Sequence, residues 1–174
     1  QSNKDVCVYC GYSTPHIEIW NGTQDSIFKG EGTAEQPFII ETAEQLNAMA
    51  MSSGLDANGK QLYYKVADGV TAFYLNDVRG FANVTEFKSS TGKTNWSKDV
   101  ASAKAPSKCE GGCEHTKPSI TSMFEGVFDG NGATVYGLYS ETNINSFAMT
   151  GSGFFPALTG NAIVKNISFD MSYV

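Results

Sequence analysis

The chain has 174 residues, enough for one ordinary domain around a single core. Apolar residues make up 41%, aromatics 12% and charged residues only 17%, a composition that packs and argues against intrinsic disorder. A net charge of −6 argues against a partner that is nucleic acid or an anionic membrane surface, and no apolar run approaches the roughly 20 residues needed for membrane insertion.

Residues 1–27 read as an irregular arm that carries Cys7 and Cys10. Residues 1–10 are polar and lack the apolar stretch of a signal peptide. Ile17, Ile19 and Trp20 suit one short strand, and a glycine-rich turn at Gly30-Glu-Gly-Thr33 precedes an extended run over residues 37–40. Proline is tolerable at the first position of that run, where its missing N–H breaks no interior ladder bond. Thr42-Ala-Glu-Gln45 then fits a capping box, in which the Thr hydroxyl covers an orphan amide and Gln45 reaches back. Leu46, Met49 and Ala50 follow at helical spacing and Ser52-Ser-Gly54 supplies the stop. A short helix with one apolar side is expected to lie across the end of an open core, which makes residues 28–60 a capping strand and helix.

From residue 61 to 174 the signal changes to short strands. Residues 62–67 and 71–76 are rich in aromatic and aliphatic side chains between turns. Residues 84–119 are dominated by Lys, Ser, Thr, Gly and Pro and read as a long insertion loop. Strands return at residues 124–140, 153–158 and 162–171, each run ending at a Gly or Asn corner. The final strand stops at Val174 without a cap or polar tail, so the chain is expected to continue into further domains of a longer protein. This spacing suits the coils of a solenoid and equally a β-sandwich of short strands.

Four blocks carry a resemblance. Gly30-Glu-Gly-Thr33 leading into Gln36-Pro-Phe-Ile-Ile-Glu-Thr-Ala-Glu-Gln-Leu46 resembles the opening of secreted bacterial proteins of the GLUG-repeat type. Tyr63-Tyr-Lys-Val-Ala-Asp68 with Phe73-Tyr-Leu-Asn76, then Phe124-Glu-Gly-Val-Phe-Asp-Gly-Asn-Gly132 with Val135-Tyr-Gly-Leu138, are similar to the blocks that follow in that family. Gly153-Phe-Phe-Pro-Ala-Leu158 and Ala162-Ile-Val-Lys-Asn-Ile167 echo its closing block. The resemblance spans most of residues 28–170. It implies an all-β fold, a right-handed parallel β-helix of few coils with an N-terminal capping α-helix, in a protein that is secreted or held at the bacterial cell surface. The family includes adhesin-like modules and regions beside peptidase domains. The insertion at 84–119 and the cysteines depart from its pattern.

Phe128-Asp-Gly-Asn-Gly132 is the one motif that invites a catalytic reading. A glycosidase needs two carboxylates flanking the bond, and Asp129 has only Glu125 near it in sequence. A turn in which Asp and Asn bond the local backbone is the stronger reading. Asp68, Asp77 and Asp170 are single and scattered, His16 and His115 each sit near cysteines, and no nucleophile elbow occurs. No enzyme is expected. Tyr12, Trp20, Trp96, Tyr139 and Tyr173 are candidates for an aromatic platform, although aromatics in strands are more often core. Trp96, in a polar stretch, would be exposed unless the loop folds back. Asn21, Asn83, Asn95 and Asn166 match the glycosylation acceptor pattern, without consequence expected in a bacterial protein.

Cys7-Val-Tyr-Cys10-Gly and Cys109-Glu-Gly-Gly-Cys113 are the sharpest local constellation. A C-x2-C followed by Gly resembles a zinc knuckle, and a second C-x3-C turn would complete a tetrahedral site for one structural zinc. Two disulfides would tether the same segments, and secretion favours oxidation. His16 and His115 are reserve ligands. The expected function is a non-catalytic structural or binding module of a secreted bacterial surface protein, with adhesion to a host or cell-surface protein or glycan as a candidate role. The alternatives are the N-terminal part of a carbohydrate-active β-helix enzyme and an accessory region of a surface peptidase.

Overall fold

A computed structural model describes residues 4–6, 13–15, 17–96, 123–140 and 153–174. In chain order the elements are β1 (Lys4–Val6), β2 (Ser13–Pro15), β3 (Phe38–Ile40), α1 (Ala43–Ala50), β4 (Tyr63–Val66), β5 (Ala72–Tyr74), α2 (Val84–Ser89), β6 (Val127–Tyr136) and β7 (Ile163–Asp170). The first two strands form an antiparallel pair of their own. The other five make one sheet in which every pairing is parallel, ordered β3-β4-β6-β5 with β7 also along β6.

This arrangement corrects the expected fold. The described residues form a mixed α/β structure, one five-stranded parallel sheet with interleaved helices beside the small antiparallel β1–β2 pair. They do not form an all-β right-handed β-helix, and the parallel pairings equally exclude the antiparallel β-sandwich. Short apolar runs between Gly and Asn corners mark parallel strands in register, but they do not say whether a corner starts a new sheet. Here the sharpest corner stays inside one strand: β6 runs through Gly130-Asn-Gly132 as a bulge, with Asn131 at φ 51°, and resumes pairing at Ala133. The helix at Thr42 is also interleaved between β3 and β4 rather than closing an open end. Its Leu46, Met49 and Ala50 are buried in the same cluster as Ile40, Val66 and Phe128.

Local chemistry explains why α1 starts where it does. The Thr42 hydroxyl accepts the Gln45 N–H at 3.2 Å. The Gln45 side chain reaches one residue further back than a simple box, accepting the Glu41 N–H at 2.7 Å and donating to the Ile27 carbonyl at 2.7 Å. Thus the cap also pins the chain at Ile27, ahead of the glycine-rich turn, to the helix.

The core is a set of columns running across the strands. Phe38, Tyr64, Phe128 and Val164 share one register position, and Phe73, Val135 and Phe169 share another. Each large apolar side chain buried in such a column contributes about 1.5–3 kcal/mol relative to leaving it exposed. Among the described residues the columns are complete on β4 and β6, whose inward side chains are covered from both neighbours.

The stretch read as an insertion loop opens with α2. Asn83 caps it by accepting the Glu86 N–H at 3.1 Å, and Glu86 reaches back to the Ala82 N–H at 2.8 Å. Phe87 anchors this short helix in a second apolar cluster with Val78 and Tyr139. Two clasps hold the next residues to the sheet. Asn76, buried at the end of β5, accepts the Thr94 N–H and donates to the carbonyls of Thr94 and Gly137. Trp96 is 1% exposed, stacked on Phe154 at 5.3 Å and set edge-on to Trp20 at 4.9 Å. The stretch as far as Trp96 folds back, and Trp96 is core.

Candidate functional site

The Phe128-Asp-Gly-Asn-Gly132 motif lies at the centre of the sheet. Lys65, Asp129 and Lys165 occupy one register position on β4, β6 and β7, so their side chains form a row of alternating charge. Asp129 Oδ1 accepts the Asn131 N–H at 2.9 Å and the Asn166 Nδ2 at 3.0 Å, while Lys165 Nζ stands 3.3 Å from Oδ2. Asn131 in turn donates from Nδ2 to the Val66 carbonyl at 3.2 Å and to Asp68 Oδ1 at 3.0 Å. Lys65 closes the chain on Asp68 at 2.9 Å. Both asparagines have positive φ, 51° for Asn131 and 56° for Asn166. Asparagine tolerates that conformation best among residues with a side chain, and here the side chain also bonds across the strands.

Electrostatics keep this network ionised. Partial burial pushes Asp129 up, but the Asn131 N–H, the Asn166 amide and the Lys165 ammonium together outweigh it and hold the carboxyl below its usual range. Asp68 is also lowered, by the hydrogen bond from Lys65 first and that from Asn131 second. A glycosidase acid must instead keep its proton near neutral pH, which requires a raised carboxyl. Neither Asp129 nor Asp68 has that character. Three further acids weighed in the sequence lie elsewhere: Asp77 pairs with Arg79 at 2.7 Å, Asp170 accepts the Met171 N–H at 2.8 Å, and Glu125 lies against Gly160.

The sign of the pH dependence follows. A carboxyl lowered by folding adds stability that is fully present above its unfolded pKa of about 3.9 and is lost as pH falls through the lower folded value. Asp129→Asn is therefore expected to cost about 1 kcal/mol at pH 6, the worth of a charge-assisted bond less what the amide recovers. That difference from the parent should shrink below about pH 4, where the parent carboxylate protonates as well. Urea titrations at pH 3 and pH 6 check it, and a difference independent of pH would refute the ionised row.

The expected metal site, Cys7, Cys10, Cys109 and Cys113, lies outside the described residues, as do His16 and His115. In sequence, Cys7 and Cys10 fall between β1 and β2, whose Val6 and Ser13 pair. Among the described residues no group of three or more His, Cys, Asp or Glu is placed to hold a metal ion.

The aromatic candidates divide. Trp20, Trp96 and Tyr139 are buried, and Tyr173 stacks on Tyr139 at 5.7 Å with Lys88 over its ring at 4.3 Å. Tyr12 lies outside the described residues. Tyr74 and Tyr136, absent from the sequence-based candidates, share a register position and stack at 4.9 Å and 11°. A signal for them is present, since Phe73-Tyr-Leu-Asn76 and Val135-Tyr-Gly-Leu138 place Tyr at the same point of two similar blocks. A groove of about 790 Å³ also runs between residues 17–20, 41–44 and 69–74. Glu18, Glu41 and Glu44 line it without a basic residue, and Glu41 is paired with Lys29 at 2.7 Å.

No family model matches the chain, and no curated protein or solved structure is significantly similar to it. Fold and site define an architecture: a five-stranded parallel sheet with interleaved helices and a polar cross-strand row. Among the described residues no helix is long and apolar enough to cross a membrane.

Proposed function

We propose that the chain is a non-catalytic structural and binding module of a secreted bacterial cell-surface protein, of the kind its GLUG-like sequence blocks suggest, with adhesion to a host or cell-surface protein or glycan as its role. The observation that carries this reading is the commitment of Asp129. Both its oxygens hold the corner of β6 against β7, and its carboxyl is lowered where a catalytic acid would be raised. Those bonds across the strands support a scaffold role for the row. The purified chain is expected to release no product from a panel of plant and host polysaccharides, mucin glycans and protein substrates. Turnover by the parent that Asp129→Asn abolishes would overturn the reading.

Tethering by the cysteines belongs to the same proposal. Residues 1–16 and 97–122 are poor in large apolar side chains relative to the strands, and a cross-link between them supplies what a core would otherwise provide. With a structural zinc, elemental analysis gives about one metal per chain and chelation liberates four thiols. Absence of metal together with no titratable thiol in the denatured protein would replace the zinc by two disulfides.

A further inference from the structure

We propose that Asn21 is a site of spontaneous covalent self-modification, at which the main-chain nitrogen of Gly22 attacks the Asn21 side-chain carbonyl and turns the residue into aspartate or isoaspartate. The inference concerns the chain's own chemistry and does not depend on the binding-module reading.

The step needs only water. The Gly22 nitrogen gives its proton to solvent and bonds to Asn21 Cγ, closing a succinimide ring. The tetrahedral centre collapses by breaking the Cγ–Nδ2 bond, and that nitrogen takes a proton from water and leaves as ammonia. A second water opens the ring at either carbonyl. One opening restores the main chain with aspartate; the other routes the main chain through Cβ as isoaspartate.

The sequence holds three Asn-Gly steps, at residues 21, 58 and 131. Glycine leaves the attacking nitrogen unhindered at each, so the fold decides among them. At Asn21 the negative charge that develops on Oδ1 meets two donors in place, the Thr23 N–H at 2.9 Å and the Thr23 hydroxyl at 2.6 Å. Among the described residues neither the Gly22 N–H nor Asn21 Nδ2 makes a hydrogen bond, so the attacking and the leaving nitrogen are both unrestrained. Asn21 and Thr23 are exposed, which admits water. The turn itself is held firmly: the Trp20 N–H donates to the Tyr74 carbonyl at 2.8 Å, and the Trp20 indole N–H to the Thr23 carbonyl at 2.7 Å. The Thr23 donors therefore stay aimed at Oδ1 and need no rearrangement as the ring closes.

The other two steps are restrained. The Gly59 N–H donates to the Asp56 carbonyl at 3.0 Å, so the proton that must leave is engaged. The Asp56 carboxyl, held below its usual range by the N–H groups of Lys60 and Asn58, also opposes negative charge developing beside it. Asn131 commits Nδ2 to the Val66 carbonyl and to Asp68 Oδ1, and ring closure would break both bonds. At Asn21 the products have consequences for the core. Aspartate sets a new carboxylate beside Glu44, whose Oε1 accepts the residue 21 N–H at 3.5 Å. Isoaspartate lengthens the main chain between Trp20 and Thr23, which strains the indole bond to the Thr23 carbonyl and loosens Trp20 against Trp96.

The full 174-residue chain is incubated in mildly alkaline buffer, and peptide mapping by mass spectrometry follows amide-to-acid conversion at the three steps. Labelling by an isoaspartate methyltransferase identifies the product. In the folded chain Asn21 is expected to convert at least about tenfold faster than Asn131 and ahead of Asn58, whereas in concentrated urea the three rates should fall within about threefold of one another. Thr23→Val removes the hydroxyl donor and keeps the N–H. It should slow conversion at Asn21 about fivefold, and Thr23→Ser should restore the parent rate. Rates at Asn58 and Asn131 should be unchanged in both variants, which separates loss of the donor from a general loosening of the fold. The isoaspartate form should also unfold at lower urea than Asn21→Asp. No conversion at Asn21, conversion at Asn58 or Asn131 as fast as at Asn21 in the folded chain, or the same ranking and spread in urea overturns the proposal. So does Thr23→Val matching Thr23→Ser, or an isoaspartate form as stable as Asn21→Asp.

Discussion

Trp96→Ala is expected to destabilise the chain by about 3–5 kcal/mol, the range for removing a fully buried large aromatic. Two losses combine. The indole leaves a cavity between Trp20 and Phe154, its edge-on and stacked neighbours. Its Nε1–H also donates to the Phe154 carbonyl at 2.8 Å, and that buried acceptor would be left unpaired. The Trp96 backbone N–H, which the substitution keeps, donates to the Tyr139 carbonyl at 2.8 Å, so the ring is the side-chain half of a clasp that holds this stretch to the sheet. With domain stabilities of about 5–15 kcal/mol, the variant should remain folded only marginally. Trp96→Phe retains most of the packing and should cost about half as much. The sequence has two tryptophans, so Trp20 becomes the sole reporter in a urea titration followed by fluorescence. A midpoint shift equivalent to less than about 1 kcal/mol would show that the segment does not depend on this anchor.

Trp96 also marks the limit of what the sequence shows. Local features are legible because their causes are local. The Thr42 cap lies within four residues of the helix it starts, and the strand-forming runs at 63–66, 127–136 and 163–170 carry their own apolar pattern. Helix α2 is legible in principle, since Asn83-Val-Thr-Glu86 has the same cap spacing as Thr42-Ala-Glu-Gln45, but the surrounding polar composition hides it. The burial of Trp96 is not, because its partners Trp20 and Phe154 lie 76 and 58 residues away along the chain. The same reason separates strands from architecture. Corner residues announce a change of direction, and only the pairing of β6 with β4, β5 and β7 shows that the chain stays in one sheet. At the Asp129 row the turn chemistry is readable from five consecutive residues, while the Lys165 and Asn166 contacts come from a strand more than 30 residues on.

That corner supplies the second large effect, and it separates two glycines of one motif. A Cβ placed on Gly130 would lie 2.6 Å from the Asn166 carbonyl oxygen and 2.6 Å from the Ile167 Cβ, both on β7. Neither atom belongs to the flexible end of a side chain, so the two strands must separate. Gly130→Ala is expected to cost about 3 kcal/mol, at the upper end of overpacking. Gly132, two residues on, has φ +82° and open space within 4 Å of where an alanine methyl would sit. Gly132→Ala therefore meets only backbone strain, about 1–2 kcal/mol. The two variants should differ in place as well as size. Loss of close approach at Gly130 acts on the β6–β7 ladder, so amide exchange should accelerate over residues 163–170 ahead of β3 and β4. Strain at Gly132 lies outside the paired register positions and should speed exchange without that preference. Equal destabilisation by the two substitutions would mean that β7 yields at Gly130 for no more than the strain at Gly132. The contact between strands would then owe more to the Asp129, Lys165 and Asn166 bonds than to the tight backbone approach.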